Sequence, residues 1–585
     1  MKTAELFNGE FSQTKWSTEM DRVVERAASG SSSKAEGAGT GAETLPVMTG
    51  GDALVAGLRD HGVDTVFGLP GAQTYGLFDA IHRAGPEMKV VGARHEQTCG
   101  YMAYGYTRST GRPSVFSVVP GPGVLNASAA MLTAFSGNEP VLLLTGQVPT
   151  AFLDLGRGHL HEMPDQLGTL RTLVKSAERV ETPGTARSQV AQAFQKMLSG
   201  RRGPAALEMP WDVFTARSPV ADPGDTSLLP SPPVDSNQID RAATLIANSR
   251  RPMIFVGSGA IGAADAVREL AEMLDAPVVS FRSGRGVLSD DHPLGLTIVQ
   301  AYELWDKTDL AIGIGTRMEV PGWRWGYRPP EQKSVRIDID PAEMRRTVPD
   351  VSVIADARPA VESLIAAVGR HGFMRTAGRR QEIGDAAGRA MQTLERELQP
   401  QMSYLQALRE VLPRDGIVTD ELCQVGYGAW IAFPVYQPRT FISSGYQGNL
   451  GSGFPTALGV KVAHPDRPVV ALTGDGGFMF AVQELATAAQ YRLGVVTVVF
   501  NNNAFGNVLR DQVQQFEGRD IGSRLVNPDF VRLAESFGVA AERVANPEAF
   551  KRALERALAD GGPRLIEVRV ENEPSPWGFI HPKRP

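Results

Sequence analysis

The 585-residue chain has only two cysteines, Cys99 and Cys423. Two are too few for a disulfide framework and too far apart for paired metal-ligand spacing, so a reducing, cytoplasmic setting is expected. A surplus of positive charge is also missing: 59 Lys and Arg stand against 65 Asp and Glu, a net charge of −6 spread along the chain. A protein that tracks nucleic-acid phosphates is ordinarily basic, so a nucleic-acid partner is set aside. Nowhere do eighteen apolar residues run together, and MKTAELFNGEFSQTKW at the N-terminus has no apolar signal core, so no membrane partner is expected either. What the chain does have is 62 glycines and 42% hydrophobic residues, enough to bury several cores.

Residues 1–46 read as a flexible extension, because AASGSSSKAEGAGTGAE within them is too small and polar to bury a core. From Val47 the texture alternates. GDALVAGLRDHG is an amphipathic helix, whereas DTVFGLPG, VFSVVPGPG and PVLLLTGQ are short apolar strands that end in glycine. Buried strands alternating with helices predict a parallel α/β sheet. A Pro-rich stretch from Ser218 to Pro233 interrupts the pattern as a linker. A second unit opens on RPMIFVGSGAIG and runs through DLAIGIGTR and SVRIDIDPAE, and a helical, charged segment after Gly369 leads to a third. The expected architecture is α/β with three doubly wound parallel-sheet domains, over 47–217, 236–368 and 399–575. Gly257, Gly259 and Gly262 form a GxGxxG after a strand. The next strand ends in Phe281 and Arg282 rather than an acidic residue, which favours a plain tight turn over a dinucleotide fingerprint.

The densest chemical signal lies between Gly474 and Asn502. The strand VVAL leads into Gly474, Asp475, Gly476 and Gly477; the helix AVQELATAAQ follows, and a second strand, VVTVVF, delivers Asn501 and Asn502. In a βαβ unit successive strand ends lie side by side, so Asp475 and Asn502 can meet although 27 residues separate them. A carboxylate and an amide oxygen make a hard, oxygen-only site suited to Mg²⁺, with positions left for phosphate oxygens. Gly476 and Gly477 are expected to let backbone approach a diphosphate.

This pattern resembles the signature of thiamine-diphosphate-dependent enzymes, and the region from about Val47 to Glu573 resembles their acetohydroxyacid synthase (acetolactate synthase) type. FGLPG, RHEQTCGYMAYGYTRSTGRP, GPGVLNA, PVLLLTGQVPT, RIDIDPAE, GSGFPTALG and LVNPDFVRLAESFGV carry the likeness. The resemblance implies a pyrimidine-binding first domain, a central Rossmann-like domain and a diphosphate-binding third domain. It implies thiamine diphosphate and Mg²⁺ as cofactors and leaves open a flavin (FAD) in the central domain. Glu96 matches the acid that hydrogen-bonds the pyrimidine N1′. Leu450 matches the aliphatic side chain beneath the bent cofactor, and Gly448 the carbonyl facing its 4′-amino group. Gln424 falls in the diphosphate loop, and Ala504 would complete the metal shell with its carbonyl. By the same resemblance each site lies between two subunits of a homodimer or homotetramer.

The substrate side departs from the synthases. Where they carry a glutamine after GQVPT, a stretch longer by two residues places His161, with His159 nearby; Trp211 replaces a lysine, and Asp511 stands where a tryptophan selects the acceptor. With Ala72 and Gln73 beyond the FGLPG turn, these residues form the expected substrate pocket, in which His161 is a candidate proton shuttle. The expected activity is a carboligase or decarboxylase acting on a 2-oxo acid rather than a housekeeping branched-chain synthase. The alternatives are a benzaldehyde-lyase-like aldehyde lyase, a simple 2-oxo acid decarboxylase and, from another class, a non-catalytic protein that retains the fold.

Overall fold

The computed structural model describes residues 45–571 and 573–582, so all but the last two residues of the expected N-terminal extension lie outside the described residues. The first third of the described chain contributes eight strands: β1 (Val47–Thr49), β2 (Thr65–Gly68), β3 (Lys89–Val91), β4 (Ser114–Val118), β5 (Val141–Gln147), β6 (Ser176–Arg179), β7 (Ala205–Pro210) and β8 (Arg217–Pro219). The middle adds β9 (Pro252–Val256), β10 (Val278–Ser280), β11 (Gly295–Leu296), β12 (Leu310–Ile314), β13 (Lys333–Asp338) and β14 (Val351–Ile354). The last third adds β15 (Ile417–Asp420), β16 (Phe441–Ile442), β17 (Val469–Gly474), β18 (Val495–Asn501), β19 (Ala540–Val544) and β20 (Arg564–Arg569). Each group forms one six-stranded parallel sheet, and β1 pairs antiparallel with β8 across the ends of the first domain. Central strands such as β5 and β18 are mostly apolar and are buried along their whole length, as strands covered by helices on both faces must be.

The first sheet runs in the order β3-β2-β4-β5-β7-β6 and the third in the order β16-β15-β17-β18-β20-β19. Strand for strand these are the same topology. The central sheet, β11-β10-β9-β12-β13-β14, has the strand order of dinucleotide-binding folds instead. Doubly wound sheets take ligands beyond the carboxyl ends of their strands where the winding reverses. Those points fall between β2 and β4 in the first domain and between β15 and β17 in the third.

The first and third domains meet through two helices, Glu96–Thr110 and Gly453–Ala463. Glycine makes the meeting close: a Cβ on Gly459 would lie 1.9 Å from the Met102 carbonyl oxygen, and one on Gly105 would lie 2.2 Å from that of Thr456. The helix Glu96–Thr110 starts where His95 Nδ1 accepts from the Gln97 amide and stops at Gly111, which has φ +77°. Its N-terminus, and with it Glu96, is thereby fixed against both domains.

In the central domain the GxGxxG stretch forms a 3₁₀ turn, Ser258–Ala263. Gly257 has no room for a Cβ because the Gly315 carbonyl oxygen would lie 2.3 Å from it. The glycines are thus required by the contact between two loops, in agreement with the tight-turn reading. Among the described residues no helix is long and apolar enough to cross a membrane.

Candidate active site

The third-domain half of the site is built on β17 and β18, which pair in parallel with Gly474 opposite Phe500. This register brings Asp475, Asn502 and Ala504 together. The Ala504 amide donates to Asn502 Oδ1 at 3.2 Å and also hydrogen-bonds the Asp475 carboxylate. Asp475 is buried, and burial pushes its carboxyl above the ordinary range. Its partners are backbone amides and the side chain of Asn527, whose Nδ2 donates to Asp475 Oδ2 at 2.7 Å and to Asn501 Oδ1 at 3.1 Å. A buried carboxylate held only by neutral donors, beside an amide oxygen, suits a hard divalent cation. Among the described residues no group of three His, Cys, Asp or Glu could hold a metal, so this mixed set is the candidate.

Across the winding reversal lies the end of β15. Gln424 opens the nine-residue helix Gln424–Ala432, with Cys423 as its N-cap, and buried Gln424 Oε1 has no partner. Open amides at that terminus and an orphaned side-chain oxygen suit a diphosphate with its cation. Gly448, at φ +61°, carries the chain into half-buried Leu450, and the Gly451 amide donates to buried Glu421 Oε1. Gly476 and Gly477 lie in the helical turn that follows β17. A Cβ on Gly476 would lie 2.5 Å from the Phe505 ring and one on Gly477 2.0 Å from Glu421 Oε1, so both glycines are also closely packed within the domain. The helix expected directly over AVQELATAAQ is also divided: Asp475–Phe478 forms a helical turn of its own, then a 3₁₀ turn, Val482–Glu484, precedes Leu485–Gln490.

The first-domain half gathers around the turn Gly121–Pro122–Gly123 at the end of β4. On one side Glu96 is half-buried, its Oε2 accepting from Asn126 Nδ2 at 3.0 Å, and its Cγ would lie 3.6 Å from a Cβ on Gly123. On the other side the His161 carbonyl oxygen would lie 2.5 Å from a Cβ on Gly121, so glycine makes that approach possible. His161 Nδ1 is 2.8 Å from Oε1 of buried Gln73, and the Gln73 amide nitrogen donates to the Leu160 carbonyl at 2.6 Å. Ala72 precedes Gln73 in the same short turn, Ala72–Thr74. His159 packs on Phe152 with ring centroids 4.2 Å apart, and its buried Nε2 has no partner. Trp211 follows β7 with 38% of its surface exposed. Asp511 belongs to the other half: it lies on the third-domain helix Gly506–Gln515 and pairs with Arg510 at 3.2 Å.

Two residues absent from the sequence reading support these groups. Asn527 steadies Asp475, and its signal was available in LVNPDF. Buried Glu484 accepts the Arg94 amide on both carboxylate oxygens at 3.1 Å and also Thr487 Oγ1 at 2.6 Å. It anchors the third domain two residues before Glu96.

The three domains also enclose a central cavity of about 310 Å³, lined in part by Gly257, Gly315, Arg317, Asp338 and Tyr446. That volume is at the low end of small-molecule pockets. Arg282 and Glu319 of the buried Arg282–Glu319–Arg324 ion cluster are among its lining residues. No step is assigned to a flavin here.

Comparison with known proteins places the chain among relatives along nearly its whole length. Residues 48–169 match the family "Thiamine pyrophosphate enzyme, N-terminal TPP binding domain", residues 239–364 its central domain and residues 423–568 its C-terminal TPP binding domain. A probable 2-ketoarginine decarboxylase of Pseudomonas aeruginosa is 32% identical over 540 residues, covering 89% of this chain and 94% of that protein. A probable acetolactate synthase large subunit of Methanocaldococcus jannaschii is 33% identical over 559 residues, 90% of this chain and 92% of its own. The acetolactate synthase isozyme 3 large subunit of Escherichia coli is 32% identical over 552 residues, 90% and 95% of the two chains.

Proposed function

The chain belongs to the thiamine pyrophosphate enzymes, which form or cleave carbon–carbon bonds, and from that premise we propose that it is a Mg²⁺-dependent carboligase or decarboxylase of 2-oxo acids. The observation that supports this best is the junction of buried Asp475, Asn502 and Ala504 at adjacent strand ends, opposite the Gln424 helix terminus and the Leu450 loop. Asp475, Asn502 and the Ala504 carbonyl would hold the cation, with Gln424 and Gly474 along the diphosphate and the Gly448 carbonyl toward the 4′-amino group. When bound, thiamine diphosphate supplies the electron sink for breaking the bond beside a carbonyl. Glu96 holds the proton for the pyrimidine N1′, Leu450 supports the cofactor's bend, and His161 is the proton-transfer group on the substrate side. Trp211 and half-buried Ala72 wall that side against water.

A second reading, decarboxylation without an acceptor, is favoured by the relationship to a protein named as a decarboxylase and by Asp511, an acid where the synthases select their acceptor. We assign the domains to 47–217, 236–368 and 399–575. The active unit is a homodimer or homotetramer, and two buried free thiols suit a cytoplasmic setting. The test is a donor screen with thiamine diphosphate and Mg²⁺ that follows carbon dioxide release, repeated with aldehyde and 2-oxo acid acceptors. Carbon dioxide with a coupled product supports the ligase, and carbon dioxide with a free aldehyde supports the decarboxylase. Release from none of the donors contradicts both.

A further inference from the structure

His161 lies in a strained place. Its φ of +62° is in the left-handed region, uncommon for a side chain other than glycine, and residues held there persist only where their surroundings over-determine them. Its backbone rests on Gly121, whose amide donates to Gln166 Oε1 at 2.8 Å. Gln166 Nε2 in turn donates to Glu208 Oε2 at 2.8 Å, and Arg179 Nε donates to Glu208 Oε1 at 2.6 Å. Its ring rests on Gln73, which is 1% exposed and fits because Gly146 leaves room: a Cβ there would lie 2.7 Å from Gln73 Cβ. Four strand ends, those of β2, β4, β5 and β7, thus converge to hold one imidazole.

The Gln73 amide can face His161 in only one way. The Leu160 carbonyl is an acceptor, so the nitrogen of Gln73 must point toward it; the reverse orientation would set two acceptors 2.6 Å apart. The oxygen of Gln73 then faces His161 Nδ1, and that nitrogen must donate. In the neutral ring the lone pair is therefore on Nε2.

We propose that Gln73 is the positioning residue of the substrate pocket, holding His161 as the Nδ1–H tautomer so that Nε2 is its proton acceptor. The proposal rests on the functional reading above and adds to it the atom through which His161 acts. The proton taken up at Nε2 comes from a substrate hydroxyl or water, leaving a cationic ring whose Nδ1–H stays on Gln73, and it returns from the same atom. Two acids of this loop are engaged elsewhere: Glu162 accepts the His159 amide at 2.8 Å, and Asp165 caps the helix Gln166–Leu173. A side chain that only packed would leave the tautomer to chance.

The test begins on protein free of cofactor, with ¹³C- and ¹⁵N-labelled histidine; the His161 signals are those lost in His161→Asn. The expected result is an unprotonated Nε2 in the wild type at pH above the ring's titration, and a shift toward Nε2–H in Gln73→Met. In the loaded enzyme, Gln73→Met lowers kcat roughly 100-fold with KM little changed, the scale of one misplaced acid–base group. An Nε2–H ring in the wild type, or a tautomer unmoved by Gln73→Met, overturns the proposal even if that variant folds poorly. An unchanged kcat in a variant whose tautomer has moved overturns the positioning role while leaving the cofactor chemistry intact. A wild type that releases carbon dioxide from no 2-oxo acid removes the functional reading, and the tautomer measurement then still decides what Gln73 does.

Discussion

Glu96 and Glu421 are both carboxylates beside the site, yet their environments assign them opposite tasks. Glu96 is half-buried at a helix start and held by one amide from Asn126, and its proposed task is to offer a proton. Glu96→Gln keeps the shape and removes the acid. Turnover is expected to fall by roughly 10²–10⁴-fold, the range of a lost acid–base group, while thiamine diphosphate still binds by calorimetry. Loss of binding together with turnover would instead make Glu96 a structural residue. Glu421 and its neighbour Asp420 are fully enclosed, and burial lifts both carboxyls to about 7. Unfolded carboxyls titrate near 4. Between those values the folded chain keeps protons that the unfolded chain has lost, so stability falls as pH rises through the window and the loss is complete above about 7. Urea midpoints of the cofactor-free chain should therefore drop from pH 5 to 7.5. Glu421→Gln, whose oxygen can still accept the Gly451 amide, should flatten the drop by roughly 1.4 kcal/mol per pH unit, one proton's share. Equal slopes in both proteins would show that Glu421 is ionised when folded.

Among the elements, the helix pair Glu96–Thr110 and Gly453–Ala463 sets the position of the site as much as the strands do. Gly459→Ala places a methyl group against the Met102 carbonyl with nowhere to yield, and about 1–3 kcal/mol of stability should be lost in urea titration. A neutral result would mean that the helices are not so close. The loop carrying Asn527 acts on the metal set: Asn527→Ala frees Asp475 from its side-chain donor, and Mg²⁺ affinity should weaken by roughly 10–100-fold in activity titrations against Mg²⁺. Unchanged affinity would leave Asn527 outside the cation site. The sequence reading reached Asp475 and Asn502 because the apolar strands that carry them are unmistakable and a βαβ unit aligns their ends. It did not reach β3, β6 or β19. These are half-exposed strands with polar faces, KVV, SAER and AAERV, and they lack the apolar run that marks a central strand. Glu484 was also missed, since a glutamate in a helical stretch says nothing of a distant backbone amide. The grip of Gln73 on His161 spans 88 residues and depends on a left-handed turn that no local pattern announced.

At the scale of the molecule, each half of the site leaves apolar side chains open to solvent. The first domain exposes Tyr75, Leu125, Leu160 and Trp211, and the third exposes Phe480, Val508, Phe516 and Val526. A patch of this kind calls for a partner surface, and in the proposed dimer a second copy would supply it by symmetry. The central claim is that Glu96 of one chain works with Asp475 of another. Mixing Glu96→Gln with Asp475→Asn chains, after unfolding and refolding together, tests it most directly. Each variant alone is inactive. In a mixed dimer one of the two sites regains both native residues, and half the dimers are mixed, so about one quarter of the wild-type rate of carbon dioxide release should return. A mixture no more active than its parents would contradict the account and place each site within a single chain.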